Sequence, residues 1–311
     1  MCTLIVLHRC VPGRPLVVAA NRDEFLDRPA EEPALRSSRT GRIVAPLDLE
    51  AGGTWVGVSE RGVFAGLTNL RPQAPAAVDA GSDLETIERA SNERNRIATQ
   101  ALRSRGEVVM RALEAESAAD AMRTLSKLET ETYNPFQLLV ADGNEAWLAV
   151  YRGSPRLVEL EPGAHIVGNV VGERTEAAIA EAATGAAARN LLADEEPRAR
   201  KLTRVQERVE KMMTEPGRDP FEGLASICRE HVELRGDGDQ DAPSLFESTC
   251  VHVADRYGTR SSLMLELSTD PTAHRLWTTD GPPCERPFEN RSSLLRELDV
   301  RLSNRAGAET T

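Results

Sequence analysis

Short apolar runs separated by turn-forming residues dominate the first seventy positions of the chain. Residues 3–8 and 16–20 are such runs, and a Val-Pro-Gly-Arg-Pro turn at residues 11–15 joins them, which predicts a β-hairpin. Residues 53–58 and 63–68 predict a second hairpin in the same way. The amino-terminal region is therefore predicted to be antiparallel β-structure.

A helical spacing of apolar residues replaces these runs over residues 82–128. There an apolar side chain recurs every three or four positions, as on one face of a helix, at Val108, Val109, Ala112, Leu113, Ala118, Ala121, Met122 and Leu125. Residues 174–214, rich in Ala, Glu and Arg, predict further helix, and a short helix is expected at residues 292–302. Helices are therefore predicted in three separate blocks.

Strands return between these helical blocks, at residues 136–141, 147–151, 157–160, 165–167, 249–254 and 262–267. Hairpins without regular βαβ alternation indicate antiparallel sheets with segregated helices, so we predict an α+β fold built as a layered sandwich. No repeat or linker divides the chain. Residues 1–302 are therefore predicted to be a single domain, and residues 303–311 a disordered tail.

Charge and hydropathy exclude several classes of partner. The chain has 311 residues and a formal net charge of -11, which argues against nucleic-acid binding because such proteins present a basic face. It lacks an apolar run of about 18 residues, so no membrane insertion is expected. The apolar start at residues 3–7 is too short for a signal peptide. We therefore expect a cytoplasmic protein.

The cysteines give no sign of a disulfide framework or a metal site. Five are scattered along the chain: Cys2, Cys10, Cys228, Cys250 and Cys284. An odd number at such spacings predicts free thiols in a reducing compartment. Neither a Cys-x-x-Cys nor a His-Glu-x-x-His pair occurs, so no metal site is predicted. His252 alternates with two valines and is expected at the surface of a strand.

Cys2 directly follows the initiator methionine, and removal of Met1 places a thiol and a free α-amino group on one residue. An α-amine with a reference pKa of about 7.7–8.0 can act as a general base near neutral pH. An N-terminal nucleophile activates its own side chain in this way. Position alone favours a simpler interpretation, in which Cys2 is a small buried residue at the start of a strand.

Four consecutive polar residues, Asn-Arg-Asp-Glu at 21–24, follow the second predicted strand. If the hairpin turns between residues 12 and 13, paired positions sum to about 25, which places Cys2 opposite Asp23. A carboxylate there can hold the α-amine beside the thiol. The alternative is a solvated turn at a strand exit, but the position opposite Cys2 favours a functional role.

Four segments together resemble the NRDE-motif family, also called the transport-and-Golgi-organisation family. They are Met-Cys-Thr at 1–3, Ala-Ala-Asn-Arg-Asp-Glu at 19–24, Gly-Gly-Thr-Trp-Val-Gly-Val at 52–58 and Tyr-Gly-Thr-Arg-Ser-Ser at 257–262. That family is similar to N-terminal-nucleophile hydrolases such as choloylglycine hydrolases and penicillin V acylases. The resemblance implies a four-layer αββα sandwich with antiparallel sheets and cleavage of linear carbon–nitrogen amide bonds.

The resemblance also implies roles for single side chains. Cys2 matches the nucleophile, and Asp23 matches the carboxylate that steadies the α-amine. Asn69 and Asn169 fall near the two oxyanion-hole asparagines, and Arg260 matches an arginine that reaches the nucleophile from a late strand. Amide side chains suit the oxyanion role because they donate to the charge that develops on the carbonyl oxygen. Each asparagine also fits a turn at a strand end, and Arg260 fits a solvent-facing turn.

The chain departs from the hydrolase pattern at two arginine positions. Ala20 stands where the hydrolases have an arginine, so Arg22 is the candidate substitute. Pro-Leu-Asp-Leu at residues 46–49 replaces the usual Gly-Arg-Asp-Leu, so a second arginine is absent. Asn21 and Arg22 are the candidate substrate-binding residues.

Two functions of different class follow from this sequence. The first is an amidohydrolase or acyltransferase that forms a thioester between Cys2 and a small-molecule acyl group, with no metal or organic cofactor. The alternative, implied by the family's links to haem handling and acyl-lipid homeostasis, is a non-enzymatic protein that binds haem or an acyl lipid in the same pocket. A catalytically silent relative is a third possibility. Only the hydrolase requires a free α-amine on Cys2.

Overall fold

A computed structural model of the chain describes residues 2–70, 102–171, 196–232, 245–253 and 256–302. Within these ranges, the strands form two antiparallel sheets of seven strands each. The predictions at residues 82–101, 174–195 and 303–311 lie outside the described part of the chain.

The first sheet contains the candidate nucleophile. Its strands are β1 (Cys2–Val11), β2 (Arg14–Phe25), β10 (Gly163–Val167), β11 (His252–Val253), β12 (Tyr257–Leu267), β13 (Arg275–Asp280) and β14 (Glu289–Asn290). They are arranged in the order β10-β1-β2-β12-β13-β14, and β11 pairs with the start of β12. Strand β1 therefore lies between two neighbours.

The second sheet is a continuous meander in which each strand pairs with the next. Its strands are β3 (Ala30–Ser37), β4 (Arg42–Asp48), β5 (Val56–Ser59), β6 (Phe64–Asn69), β7 (Phe136–Ala141), β8 (Ala146–Tyr151) and β9 (Pro155–Leu160). Short connections join most of these neighbours, as antiparallel pairing permits, whereas residues 70–135 separate β6 from β7. The predicted strands at residues 136–141 and 147–151 form β7 and β8, which pair as a hairpin.

Five helices lie in the described part of the chain: α1 (Arg105–Leu113), α2 (Ala118–Leu125), α3 (Glu196–Thr214), α4 (Pro220–Cys228) and α5 (Ser293–Leu298). Ser104, Ser117 and Asp219 cap the first turns of α1, α2 and α4, because their side-chain oxygens accept from free backbone N–H groups there. Among these helices, none is long and apolar enough to cross a membrane.

The alternation of side chains along β1 explains the layers. Leu4 and Val6 face the second sheet and pack in the central core, whereas Ile5 and Leu7 point the other way, into a core shared with α3 and α4. A third core joins the second sheet to α1 and α2. The order of layers is therefore helices, sheet, sheet, helices, and the predicted αββα sandwich is confirmed.

The structure corrects some predicted elements. Strands β3, β4 and β13 and helix α4 were not predicted. Strand β3 forms an edge of its sheet and carries Glu31, Glu32 and Pro33, so it lacks the apolar run by which buried strands are recognised. The strand expected at residues 249–254 is reduced to the two residues of β11, and residues 262–267 pair with β2 and β13 instead.

His8 gives the fold a testable pH dependence. It is 1% exposed at the end of the central core, and burial lowers the pKa of its ring to about 4, although the nearby backbone of Asp142 acts in the opposite direction. The unfolded chain takes up a proton at a pKa of about 6.5, so between pH 6.5 and 4 the unfolded state binds more protons than the folded state. We expect the free energy of unfolding to fall by up to about 3 kcal/mol as the pH is lowered through this window.

Urea unfolding at several pH values measures this loss. The variant His8→Leu should lose most of the decrease between pH 6.5 and 4, whereas His165→Gln, at a half-exposed histidine on the neighbouring strand, should keep it. The same slope in wild type and His8→Leu would show that other groups cause the acid sensitivity.

Candidate active site

A cavity of ≈ 340 Å³ lies beside Cys2, at the end of β1. Its wall combines both sheets with the start of α1, through residues that include Cys2, Arg22, Trp55, Asn69, Arg105 and Asn134. Gly53 in this wall packs so closely on α1 that a Cβ atom would lie 2.8 Å from the Cα of Gly106. The approach of two glycines therefore closes one side of the cavity.

The pairing of β1 with β2 differs by one residue from the predicted register. Cys2 lies opposite Arg22, not Asp23. Near the turn, Val11 pairs with Arg14 as predicted, but a β-bulge follows, in which Arg9 has a positive φ of 50°. The extra residue shifts the remaining pairs by one position. Because opposite residues share a face, Cys2 and Arg22 both face the cavity, and Asp23 faces the helices.

Two asparagines position the start of β1. The backbone N–H of Cys2 donates to Asn169 Oδ1 at 2.8 Å, and Asn169 Nδ2 donates to the backbone oxygen of Asn69 at 2.6 Å. Thr68 and Gln137 hold the Asn169 loop by donating to the backbone oxygen of Gly168. Both polar atoms of the Asn169 amide are thus engaged, whereas Asn69 lines the cavity.

Asp23 belongs to a buried polar network behind the strand. Its Oδ1 accepts from Thr259 Oγ1 at 2.7 Å, and its Oδ2 lies 3.6 Å from Lys201 Nζ on α3. Burial raises the pKa of the Asp23 carboxyl, and Lys201 and Thr259 act against that shift. Burial also raises the pKa of the Cys2 thiol, and the charge of Asp23 adds to this effect. Asp23 is therefore electrostatically coupled to Cys2 although it does not line the cavity.

Arg22 is held at the cavity by one aromatic ring and one carboxylate. Its guanidinium carbon lies 4.2 Å from the centre of the Trp55 ring, and its Nη2 donates to Asp48 Oδ2 at 3.0 Å. Arg28 shares the same carboxylate. Burial favours the neutral form of Asp48, but the hydrogen bonds from Arg28 and from backbone amides keep its pKa below the usual value. Arg22 Nη1 is buried without a hydrogen-bond partner among the described residues.

Besides Asp23, two further predicted site residues, Asn21 and Arg260, lie away from this cavity. Asn21 is buried on the helical face, where its amide donates to the backbone oxygens of Cys228 and Thr249 and accepts from Ser262. The prediction that Asn21 binds substrate is therefore replaced by a role in joining β2 to α4. Arg260 is the extra residue of a bulge in β12; it pairs with Asp280 and lines a different cavity.

Comparison with known protein families shows to which family the chain is related. The model of the family "Transport and Golgi organisation 2" matches residues 1–274. The chain belongs to this family. The bovine Transport and Golgi organization protein 2 homolog is 29% identical over 269 residues, which cover 82% of this chain and 83% of the bovine protein. The mouse homolog is 33% identical over 168 residues, and the match spans 51% of its length.

Solved structures show the fold that this family member shares with an acylase and a bile acid hydrolase. Penicillin V acylase from Agrobacterium tumefaciens superposes with a TM-score of 0.50 at 15% identity, over 90% of this chain and 83% of the acylase. A mutant conjugated bile acid hydrolase from Clostridium perfringens gives 0.52 at 9% identity, over 96% and 94% of the two chains. The resemblance to the N-terminal-nucleophile hydrolase fold is confirmed.

Proposed function

We propose that the chain, once Met1 is removed, is an N-terminal-cysteine amidohydrolase or acyltransferase. The observation that carries the proposal is the position of Cys2 at the wall of a cavity that also contains Arg22 and Asn69. The α-amine takes the thiol proton, and the thiolate attacks the amide carbonyl carbon. The C–N bond then breaks, the amine leaves with that proton, and the acyl group remains on Cys2 as a thioester. Water or a second amine then takes the acyl group and restores the thiol.

Asn169 and Asn69 have different roles in this mechanism, the first in positioning the base and the second in binding the oxyanion. Asn169 holds the nitrogen of Cys2 at 2.8 Å and so orients the base beside its thiol. Asn69 lines the cavity and is the candidate donor to the oxyanion. Such a donor is worth about 2.7–4 kcal/mol in the transition state. The negative charge of Asp23 favours the protonated amine and so sets the pH at which the base becomes active.

The charges of the wall favour a substrate with an anionic or strongly polar acyl group. Four arginines line the cavity, Arg22, Arg28, Arg103 and Arg105, against the two carboxylates of Glu24 and Asp48. Guanidinium groups bind carboxylate and carbonyl oxygens through their planar array of N–H donors. Arg22 Nη1 has no partner among the described residues, so it is the donor that we assign to the substrate.

The test follows alkylation of Cys2 in two forms of the same protein. One form is the processed chain, whose intact mass reports whether Met1 is absent, and the other keeps an uncleaved amino-terminal tag. Burial raises the pKa of the Cys2 thiol in both forms. Only in the processed chain does an ammonium group on Cys2 itself stabilise the thiolate by Coulomb attraction. We therefore expect iodoacetamide near pH 7 to label Cys2 faster in the processed chain.

Peptide mapping gives the labelling rate at each cysteine. Cys10 is half-buried like Cys2 but lies outside the cavity, so its rate in both forms serves as the internal reference for the Cys2 rate. The processed form should also hydrolyse at least one member of a panel of acyl amides with anionic acyl groups, and the tagged form should not. Equal Cys2 labelling in the two forms, or full activity in a chain that keeps Met1, contradicts the proposal and favours the haem or acyl-lipid carrier.

A further inference from the structure

A second group of reactive side chains lies outside the cavity of Cys2. His231 follows α4, Cys250 and His252 belong to the segment that forms β11, and Cys284 lies in the turn between β13 and β14. One ligand-type atom from each of these four residues lies within 4.8 Å of all the others. These residues come from three separate parts of the sequence, so the fold alone brings them together.

The distances within this Cys/His cluster match the edges of a zinc-centred tetrahedron. Zn–S bonds of about 2.3 Å and Zn–N bonds of about 2.0–2.1 Å give edges of about 3.8 Å between two sulfurs and about 3.5 Å between sulfur and nitrogen. The two Sγ atoms are 3.5 Å apart. His252 Nε2 lies 3.7 Å from Cys250 Sγ and 3.2 Å from Cys284 Sγ. The sulfurs are too far apart for the disulfide distance of about 2.05 Å.

We propose that His231, Cys250, His252 and Cys284 bind one zinc ion. Two thiolates and two imidazoles form a four-ligand set that suits tetrahedral zinc and leaves no open position, as in structural zinc sites. The proposal is independent of the function assigned to Cys2. It replaces the expectation from sequence that the chain has no metal site.

The surroundings of His252 orient it for this role. Its Nε2 faces both sulfurs, and its Nδ1 lies 3.9 Å from Glu285 Oε1. Zinc-bound histidines characteristically direct their second nitrogen to a carboxylate or a carbonyl group, which fixes the tautomer and the ring plane. Glu285 directly follows Cys284, so the same turn supplies one ligand and the carboxylate for another.

The backbone around the Cys/His cluster is held before any ion binds. The N–H of Cys250 donates to the oxygen of Glu230 at 3.0 Å, which places His231 beside Cys250. Val251 exchanges two hydrogen bonds with Thr259, and a Cβ atom on Gly258 would lie 2.5 Å from the oxygen of Val251. Only a glycine allows this approach.

Metal analysis of the full-length protein, purified with a thiol reductant, is the first experiment. We expect about one zinc ion per chain in the wild type. Cys284→Ser should lose most of the zinc, because serine is a poor zinc ligand, and the turn that holds Cys284 is exposed and tolerant of a small change. Cys10→Ser changes a half-buried cysteine outside the cluster and should keep the full zinc content.

Cobalt substitution tests the site without any variant. Wild-type protein stripped of metal and titrated with Co²⁺ should develop the intense visible absorption of tetrahedral cobalt and a thiolate-to-cobalt charge-transfer band in the near ultraviolet. Zinc should displace the cobalt and bleach both bands. The melting temperature of the stripped protein should rise when zinc is added, because binding to the folded state stabilises it.

Three results overturn the proposal. The first is stripped wild-type protein that gives neither zinc uptake nor a tetrahedral thiolate spectrum. The second is an equal zinc content in Cys284→Ser and Cys10→Ser. The third is a Cys250–Cys284 disulfide in protein kept under reductant, because a disulfide removes both thiolate ligands.

Discussion

Replacing Cys2 with alanine should abolish turnover of any amide that the processed wild-type chain cleaves. Loss of the nucleophile of a hydrolase lowers turnover by a factor on the order of 10⁶. The melting temperature should stay close to that of the wild type, because a half-buried cysteine at the start of β1 contributes little to the cores. Cys2→Ser should retain a trace of activity, since a hydroxyl is a nucleophile that is harder to activate.

Cys10→Ala is the matched control for this prediction. Cys10 lies on the same strand and is half-buried like Cys2, but it sits at the bulge near the far end of β1. It should keep full activity. Activity that survives in Cys2→Ala and is lost in Cys10→Ala would remove Cys2 from the mechanism while leaving the fold assignment untouched.

Replacing Lys201 with alanine should lower the free energy of unfolding by about 3–5 kcal/mol near pH 7. Lys201 and Asp23 are both almost completely buried, with side chains 4% and 0% exposed. Removing one partner of a buried ion pair leaves the other charge without compensation. Chemical denaturation measures the loss. Lys211→Ala, at an exposed lysine on the same helix, should have a small effect.

The pH dependence of the Lys201→Ala loss identifies its cause. Without Lys201, the pKa of Asp23 in the folded state rises further above its unfolded value of about 3.9. Protonated Asp23 needs no cation, so the difference between variant and wild type should shrink as the pH falls through the raised folded pKa. The double variant Asp23→Asn/Lys201→Ala should recover much of the loss near pH 7. No recovery would mean that Lys201 acts by packing alone.

The fold could be predicted where the signal is local. The hairpins β1–β2, β5–β6 and β7–β8 each consist of two apolar runs and a turn. The whole pattern of each hairpin lies within about 25 residues of sequence. The stacking of two sheets between helices is not local. The pattern predicted a layered sandwich, but the four-layer αββα order followed only from the family resemblance. Edge strand β3 escaped prediction because its charged residues face solvent.

The site could be predicted only in part, for three physical reasons. The bulge at Arg9 carries a positive φ without a glycine to mark it, so the register of Cys2 was one residue wrong. Lys201 lies in a helix rich in Arg and Glu, and the sequence there does not distinguish a buried lysine from a solvated one. The Cys/His cluster draws His231, Cys250 and Cys284 from distant segments, so its members show no ligand spacing.

Because side chains alternate along β2, the four residues of the Asn-Arg-Asp-Glu motif face two different parts of the molecule. Asn21 and Asp23, the first and third residues of the motif, face the helical layer. Arg22 and Glu24, the second and fourth, line the cavity. One short motif therefore contributes both to the packing of the sheet on the helices and to the lining of the cavity. We therefore expect substitutions at Arg22 or Glu24 to change the lining of the cavity while the contacts that Asn21 and Asp23 make with the helical layer stay in place.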